Sequence, residues 1–212
     1  MVLDVVANFG TGLGLAAGAG LNAYAVLLVY GLIAPLFPEE FPGAIAQVLS
    51  EPTVLAVLAG LYVLEFFADK IPVLDHLWDA VHTVVRPLAG GLLAVAAVAP
   101  TNETALTVLA GGGGGLAALA AHVMKSTARL TSTALTAGVA NIALSLAEDI
   151  LAVLQAIVSV FLPLVALVLA MTVLALCLLC VPKLARGVNL FGRRRRRPVA
   201  DAVPASPRVG SA

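Results

Sequence analysis

From Pro163 to Val181 the chain reads Pro-Leu-Val-Ala-Leu-Val-Leu-Ala-Met-Thr-Val-Leu-Ala-Leu-Cys-Leu-Leu-Cys-Val, and no charge interrupts it before Lys183. A helix needs about 20 apolar residues to cross a hydrocarbon core about 30 Å thick, so this run predicts a membrane span. The rest of the chain has the same character. Of 212 residues, 61% are hydrophobic and 11% charged, and mean hydropathy is +1.05. Soluble domains carry about 25% charged residues, so this chain cannot cover a water-facing surface. Twelve basic residues balance twelve acidic ones, which excludes nucleic-acid binding through net charge. Cys177 and Cys180 lie inside the apolar run and read as filler, not as a disulfide scaffold.

Working back from Pro163, five more segments read as spans: about 5–36, 53–68, 87–99, 104–124 and 134–147. The boundary between the fifth and sixth is blurred, because 150–162 is apolar too. The N-terminus has no cationic leader and carries Asp4, so its apolar segment is expected to stay as a span. With six spans both termini share a side, and Arg193 to Arg197 place that side in the cytoplasm of the cell membrane. Lys70, Arg86, Lys125, Arg129 and Lys183 then fall inside, whereas the outer loops hold only Glu39, Glu40, Glu51 and Glu103.

The fold class expected is an all-α polytopic membrane protein, with about six transmembrane helices forming two inverted three-helix repeats. Gly14-Leu15-Ala16-Ala17 matches Gly115-Leu116-Ala117-Ala118, and Leu64 to Asp69 parallels Leu144 to Asp149. Pro87 and Pro163 each open a closing span. The repeats would occupy 1–100 and 101–185, followed by a basic disordered cytoplasmic tail over 186–212. Three spans per half force opposite orientations, a recurring plan of secondary transporters. On this reading Asp69 and Glu148-Asp149 lie towards opposite surfaces. Chance alignment of Ala/Leu/Gly segments is the alternative.

Ionisable residues at membrane depth are expensive and usually functional. Three groups stand out. The first runs from Glu65 through Asp69, Lys70, Asp75, Asp79, His82 and Arg86. On a helix, Asp75, Asp79, His82 and Arg86 share one stripe, with Leu74, Leu77, Val81 and Val84 opposite. Asp75 beside Asp79 calls for a cation, a proton or a partner such as Lys70. Asp75, Asp79 and His82 are also candidate metal ligands. The bland alternative is an interfacial amphipathic helix. The second group is His122, Lys125, Ser126, Arg129, Thr133 and Thr136, suited to an anion or to the acids of the first, or else a positive-inside flank. The third is Glu148-Asp149, costly unless paired, protonated or hydrated; snorkelling to the surface is the alternative.

Gly12-Leu13-Gly14-Leu15-Ala16-Ala17 has no strand–helix context and is no dinucleotide motif. The glycine run 111–115 reads as a packing face or as a helix break. No nucleophile–base pair stands out, so no catalytic residue is assigned.

Gly14 to Tyr24, Glu65 to Asp79, Arg86-Pro87-Leu88-Ala89-Gly90, His122 with Lys125, and Leu146-Ala147-Glu148-Asp149 resemble an uncharacterised bacterial membrane family catalogued as domain of unknown function 4126. The resemblance implies an integral membrane protein and no particular activity. The polar residues themselves point to a small transporter or permease moving an ion or a small or anionic solute, a lipid headgroup included. Glu65, Asp69, Asp75, Asp79, His82, Glu148 and Asp149 would handle a proton or cation. Lys70, Arg86, His122, Lys125 and Arg129 would pair with them. His82 is the natural protonation switch. A metal-dependent intramembrane enzyme and a non-transporting scaffold are the alternatives. No cofactor is expected. The expected partners are the lipid bilayer and, through Gly/Ala-rich helix faces, a second copy of the chain.

Overall fold

The computed structural model describes residues 2–39, 41, 43–136 and 139–195; of 72, 73, 75, 76, 134, 135, 181 and 184–195 it describes the backbone only. The described residues form α-helices and short 3-10 turns, with no strand. The helices are α1 (Val2–Leu21), α2 (Ala23–Ile33), α3 (Ala44–Ser50), α4 (Pro52–Ala68), α5 (Pro72–Val98), α6 (Thr104–Thr136), α7 (Asn141–Phe161) and α8 (Pro163–Arg195). Five helices are long and apolar enough to cross a membrane, and α3 with α4, bent by 69°, makes a sixth candidate. Leu77, Val84, Leu88, Leu116 and Leu178 are exposed. In water such a surface would aggregate, whereas in a bilayer it is the solvated face. This is an integral membrane protein.

The expected first span is two helices. Asn22, in extended backbone (φ −148°, ψ 104°), separates α1 from α2, and its side-chain oxygen accepts the Ala25 N–H at 2.9 Å. A break inside a membrane must satisfy its freed backbone groups within the protein, and this cap does part of that. The chain then folds back. Along α7, Gly18 of α1 faces Ala152 and Gly14 faces Ser159, and Gly10 faces Pro163 at the start of α8. Asn22 meets Asp149, and Phe37 stacks edge-on against Phe161. Residue numbers on α1 therefore rise against those of α7, while those of α2 rise with them.

That reversal changes the expected symmetry. Leu13 lies beside Gly113, Gly20 beside Ala118, and the Leu21 carbonyl accepts from Lys125. The two glycine-rich helices α1 and α6 thus run in the same direction, not in opposite directions as inverted copies must. The other correspondences shift too. Leu64 to Asp69 closes α4, whereas Leu144 to Asp149 lies in the first half of α7. Pro163 opens α8, but Pro87 sits inside the continuous α5.

Other boundaries moved for local reasons. Leu162 precedes a proline, which disfavours helical backbone; it adopts φ −135°, ψ 62°, so α7 absorbs the uncertain stretch 150–161. Helix α8 continues to Arg195, past residue 186 where the sequence places the tail; 196–212 lie outside the described residues.

The small residues are used inside the chain. Helix α1 is surrounded, with Leu15, Ala16 and Ala19 fully buried. A Cβ on Gly90 would lie 2.9 Å from the Gly114 carbonyl oxygen, and one on Gly114 would lie 2.6 Å from that of Gly90. The glycine run leaves α6 unbroken and serves as its seam with α5, one of the two readings of that run. The Gly/Ala faces expected to join two copies are occupied by these contacts, while Gly60 and Gly112 face open space.

The two ends of the bundle differ in charge. Ala7 and Asn8 line a cavity of about 320 Å³ with Glu39, Pro100 and Pro163, an end without described basic residues. Lys125 and Arg129 lie at the other end, beside Leu21 and Asp69. The start of α1 is therefore at the opposite end from the basic cluster, because the α2 fold-back adds a reversal that a single first span lacks.

Candidate functional site

The amphipathic stretch of α5 turns its polar stripe into the bundle. His82 and Arg86 are fully buried, whereas Leu74, Leu77, Val81 and Val84 are exposed. His82 and Arg86 thus meet other helices, where the interfacial reading would have them meet water and headgroups.

Two linked ionic groups result. In the first, Arg86 Nη2 donates to Glu65 Oε1 at 2.7 Å, with both side chains fully buried. Arg86 Nη1 donates to His122 Nδ1 at 2.5 Å. A guanidinium has no acceptor, so His122 Nδ1 carries a lone pair and the ring is neutral. Its Nε2–H then donates to Thr83 Oγ1 at 3.2 Å, and Thr83 donates to the Asp79 carbonyl. Asp79 accepts from Ser126 at 3.1 Å and lies 3.8 Å from Arg86 Nη1. His82 places Nδ1 2.9 Å from the Trp78 carbonyl, which fixes a proton there, and turns Nε2 towards Glu65 at 3.8 Å. Tyr24 and Trp78 close over the His82 ring.

In the second group, Arg129 Nη2 lies 2.7 Å from Asp69 Oδ2 and 2.5 Å from Glu148 Oε2. Lys125 Nζ bridges Asp69 at 3.1 Å, Glu148 at 3.4 Å and the Leu21 carbonyl at 3.0 Å. A cation at the carboxyl end of α1 also complements the helix dipole. Asp69 follows the last residue of α4. Burial alone would raise its pKa, but the adjacent Lys125 ammonium and Arg129 guanidinium outweigh that and hold the carboxyl below its ordinary value. Asp149 accepts from the Asn22 amide at 2.8 Å.

Most of the expected residues thus converge: Glu65, Asp69, Asp79, His82, Arg86, His122, Lys125, Arg129, Glu148 and Asp149. The expectation that Asp69 and Glu148-Asp149 lie towards opposite surfaces is corrected, since Asp69 and Glu148 bind one guanidinium. Lys70 stands apart. Its ammonium donates to the Phe66 carbonyl at 2.8 Å and sits 3.1 Å from the Phe66 ring centre, so it does not partner Asp79. The Asp75 side chain lies outside the described residues. Among the described residues no three His, Cys, Asp or Glu side chains are placed to hold a metal ion. Asp79 and His82 point to different partners, so two of the three candidate ligands do not converge. Thr133 bonds Asn141, and Thr136 bonds the Ser132 carbonyl, away from the cluster.

Sequence reading passed over Asn22, Thr83 and Ser145. An asparagine within a run of 32 apolar residues was the available signal for Asn22, since such a run exceeds one span. Ser145 is fully buried, and its hydroxyl has no described partner.

Among the described residues the buried or half-buried cluster holds five carboxylates (Glu65, Asp69, Asp79, Glu148, Asp149) and three permanent cations (Arg86, Lys125, Arg129). A cavity of about 240 Å³ opens beside it, lined by Asp79, Thr83, His122, Ser126 and Arg129. No curated protein and no solved structure matches the chain. A family model matches residues 9–183, and the chain belongs to that family, described as domain of unknown function (DUF4126).

Proposed function

We propose that the protein is a small permease that moves an ion or a small or anionic solute across the cell membrane, coupled to protons or cations. The observation that carries this reading is the surplus, among the described residues, of carboxylates over permanent cations in a largely buried cluster. An unneutralised carboxylate in such a place is costly, so the cluster favours uptake of a proton or cation. Two features support it. Cavities lie at both ends of the bundle, and along α5 the residues lining them, Thr83 and Ala97, are separated by about 21 Å at 1.5 Å per residue. The helix break at Asn22 touches the cluster directly, and discontinuous helices are a recurring feature of transporter ion sites.

The positive-inside rule puts the Lys125–Arg129 end in the cytoplasm. With the fold-back at Asn22, the N-terminus then lies outside and the C-terminus inside. If copies associate, Gly60 and Gly112 are the small residues that face outward.

The test is ion flux into proteoliposomes containing the full chain and a trapped pH-sensitive dye. An imposed proton or cation gradient should drive flux above that of empty vesicles, and Glu65→Gln should abolish it. Flux equal to that of empty vesicles under every gradient would end the permease reading.

A further inference from the structure

Four of the five acids in the cluster have a cation within 4 Å. Glu65 and Asp79 have Arg86, while Asp69 and Glu148 share Arg129 and Lys125. Asp149 differs. Only 5% exposed, it has no ion pair among the described residues; its one hydrogen-bond partner is the neutral Asn22 amide, and its Oδ2 is buried without any partner.

The surroundings do not supply the missing charge. Lys125 on α6 is near enough for its charge to be felt, but it is already divided between Asp69 and Glu148. Lys70, after α4, is also near enough for its charge to be felt, but its ammonium donates to the Phe66 carbonyl and makes no ion pair with Asp149. Glu65 and Asp69, from the α4 side, add repulsion, and Tyr62 of α4 adds only a neutral hydroxyl. Glu148, the neighbour on α7, and Arg129 on α6 satisfy one another. No metal-binding group of three ligands forms among the described residues. A proton is the remaining means of neutralising this carboxyl. Protonated, it gains a donor, and the Ser145 hydroxyl stands one turn earlier on the same buried face of α7, with no described partner.

We propose that Asp149 is the proton-binding residue of the cluster, and that its protonation is read by the helix break at Asn22. The Asn22 side chain spans both functions. Its oxygen caps α2 and its amide nitrogen donates to Asp149. A hydrogen bond to a carboxylate is shorter and stronger than one to a neutral acid. Release of the proton therefore tightens the α1–α2 turn against α7, and uptake slackens it. The inference names the coupling ion and its carrier within the permease reading, on which its functional meaning rests.

Infrared difference spectroscopy of the full-length protein in lipid, recorded across a pH titration, tests it independently of transport. The carbonyl-stretch band of a protonated carboxylic acid should appear as pH falls, be lost in Asp149→Asn, and move in frequency in Asp149→Glu. Glu148→Gln should leave it in place. Absence of the band in the wild type, or a band unchanged in both Asp149 variants, would overturn the proposal. Should Asp149→Asn fail to fold, the frequency shift in Asp149→Glu decides alone. In proteoliposomes, proton-coupled flux that persists unaltered in Asp149→Asn would overturn Asp149 as carrier and leave the permease intact. A titrating Asp149 band in a protein without flux would sustain the proton site and end the permease reading.

Discussion

Glu65 and Arg86 meet at 2.7 Å, each with its side chain fully buried and separated in sequence by 21 positions. The pair ties the end of α4 to the middle of α5, and through His122 to α6.

Removing one partner of a buried pair leaves an uncompensated charge and costs about 3–5 kcal/mol, whereas an apolar pair of similar volume is often tolerated. Arg86→Met should therefore lower the melting temperature in detergent steeply. Adding Glu65→Leu should recover much of the loss. Equal melting temperatures for the single and double variants would mean that the pair does not act as a unit.

The α5–α6 seam depends on backbone approach at Gly90 and Gly114. Overpacking a tight interface costs about 1–3 kcal/mol. Gly114→Ala should fall in that range, while Gly112→Ala, whose Cβ enters open space, should be neutral or slightly stabilising. Thermal unfolding of the two variants side by side checks this.

Asp69 is held below its ordinary pKa of 3.8 by Lys125 and Arg129 despite its burial. A depressed carboxyl contributes stability that is complete above its unfolded value and is lost as pH falls through the folded one. The wild type should therefore lose melting temperature as pH drops below about 4, near the free carboxyl value. Asp69→Asn should start lower at neutral pH and show a shallower acid decline. Parallel curves would assign the acid limb to other groups.

The fold-back at Asn22 places the start of α1 at the end opposite Lys125 and Arg129. Reporter fusions should then give opposite signals at the two termini, with the N-terminal reporter outside and the C-terminal one inside. Matching signals would restore the six-pass arrangement in which both ends face the cytoplasm.

Much of the polar site was legible because charge is rare in this chain. At 11% charged residues, Glu65, Asp79, Arg86, Lys125, Arg129 and Glu148 stand out against apolar surroundings. Helical periodicity then put Asp79, His82 and Arg86 on one stripe. Which way that stripe faces was not legible, because an amphipathic helix at a membrane surface has the same periodicity.

The amino-acid order by itself determined that the chain lives in a bilayer, that it is built of apolar helices, and which few side chains must be accommodated at depth. These follow from the free energy of moving apolar and charged groups between water and lipid, which depends on composition along short windows. Tertiary structure alone decided that α1 and α6 run in the same direction, that Asp69 and Glu148 share Arg129, and that Asp149 accepts from Asn22 and has no ion pair among the described residues. Those outcomes depend on one residue turning the chain back on itself, and on glycine contacts between segments far apart in sequence. No local window contains that information.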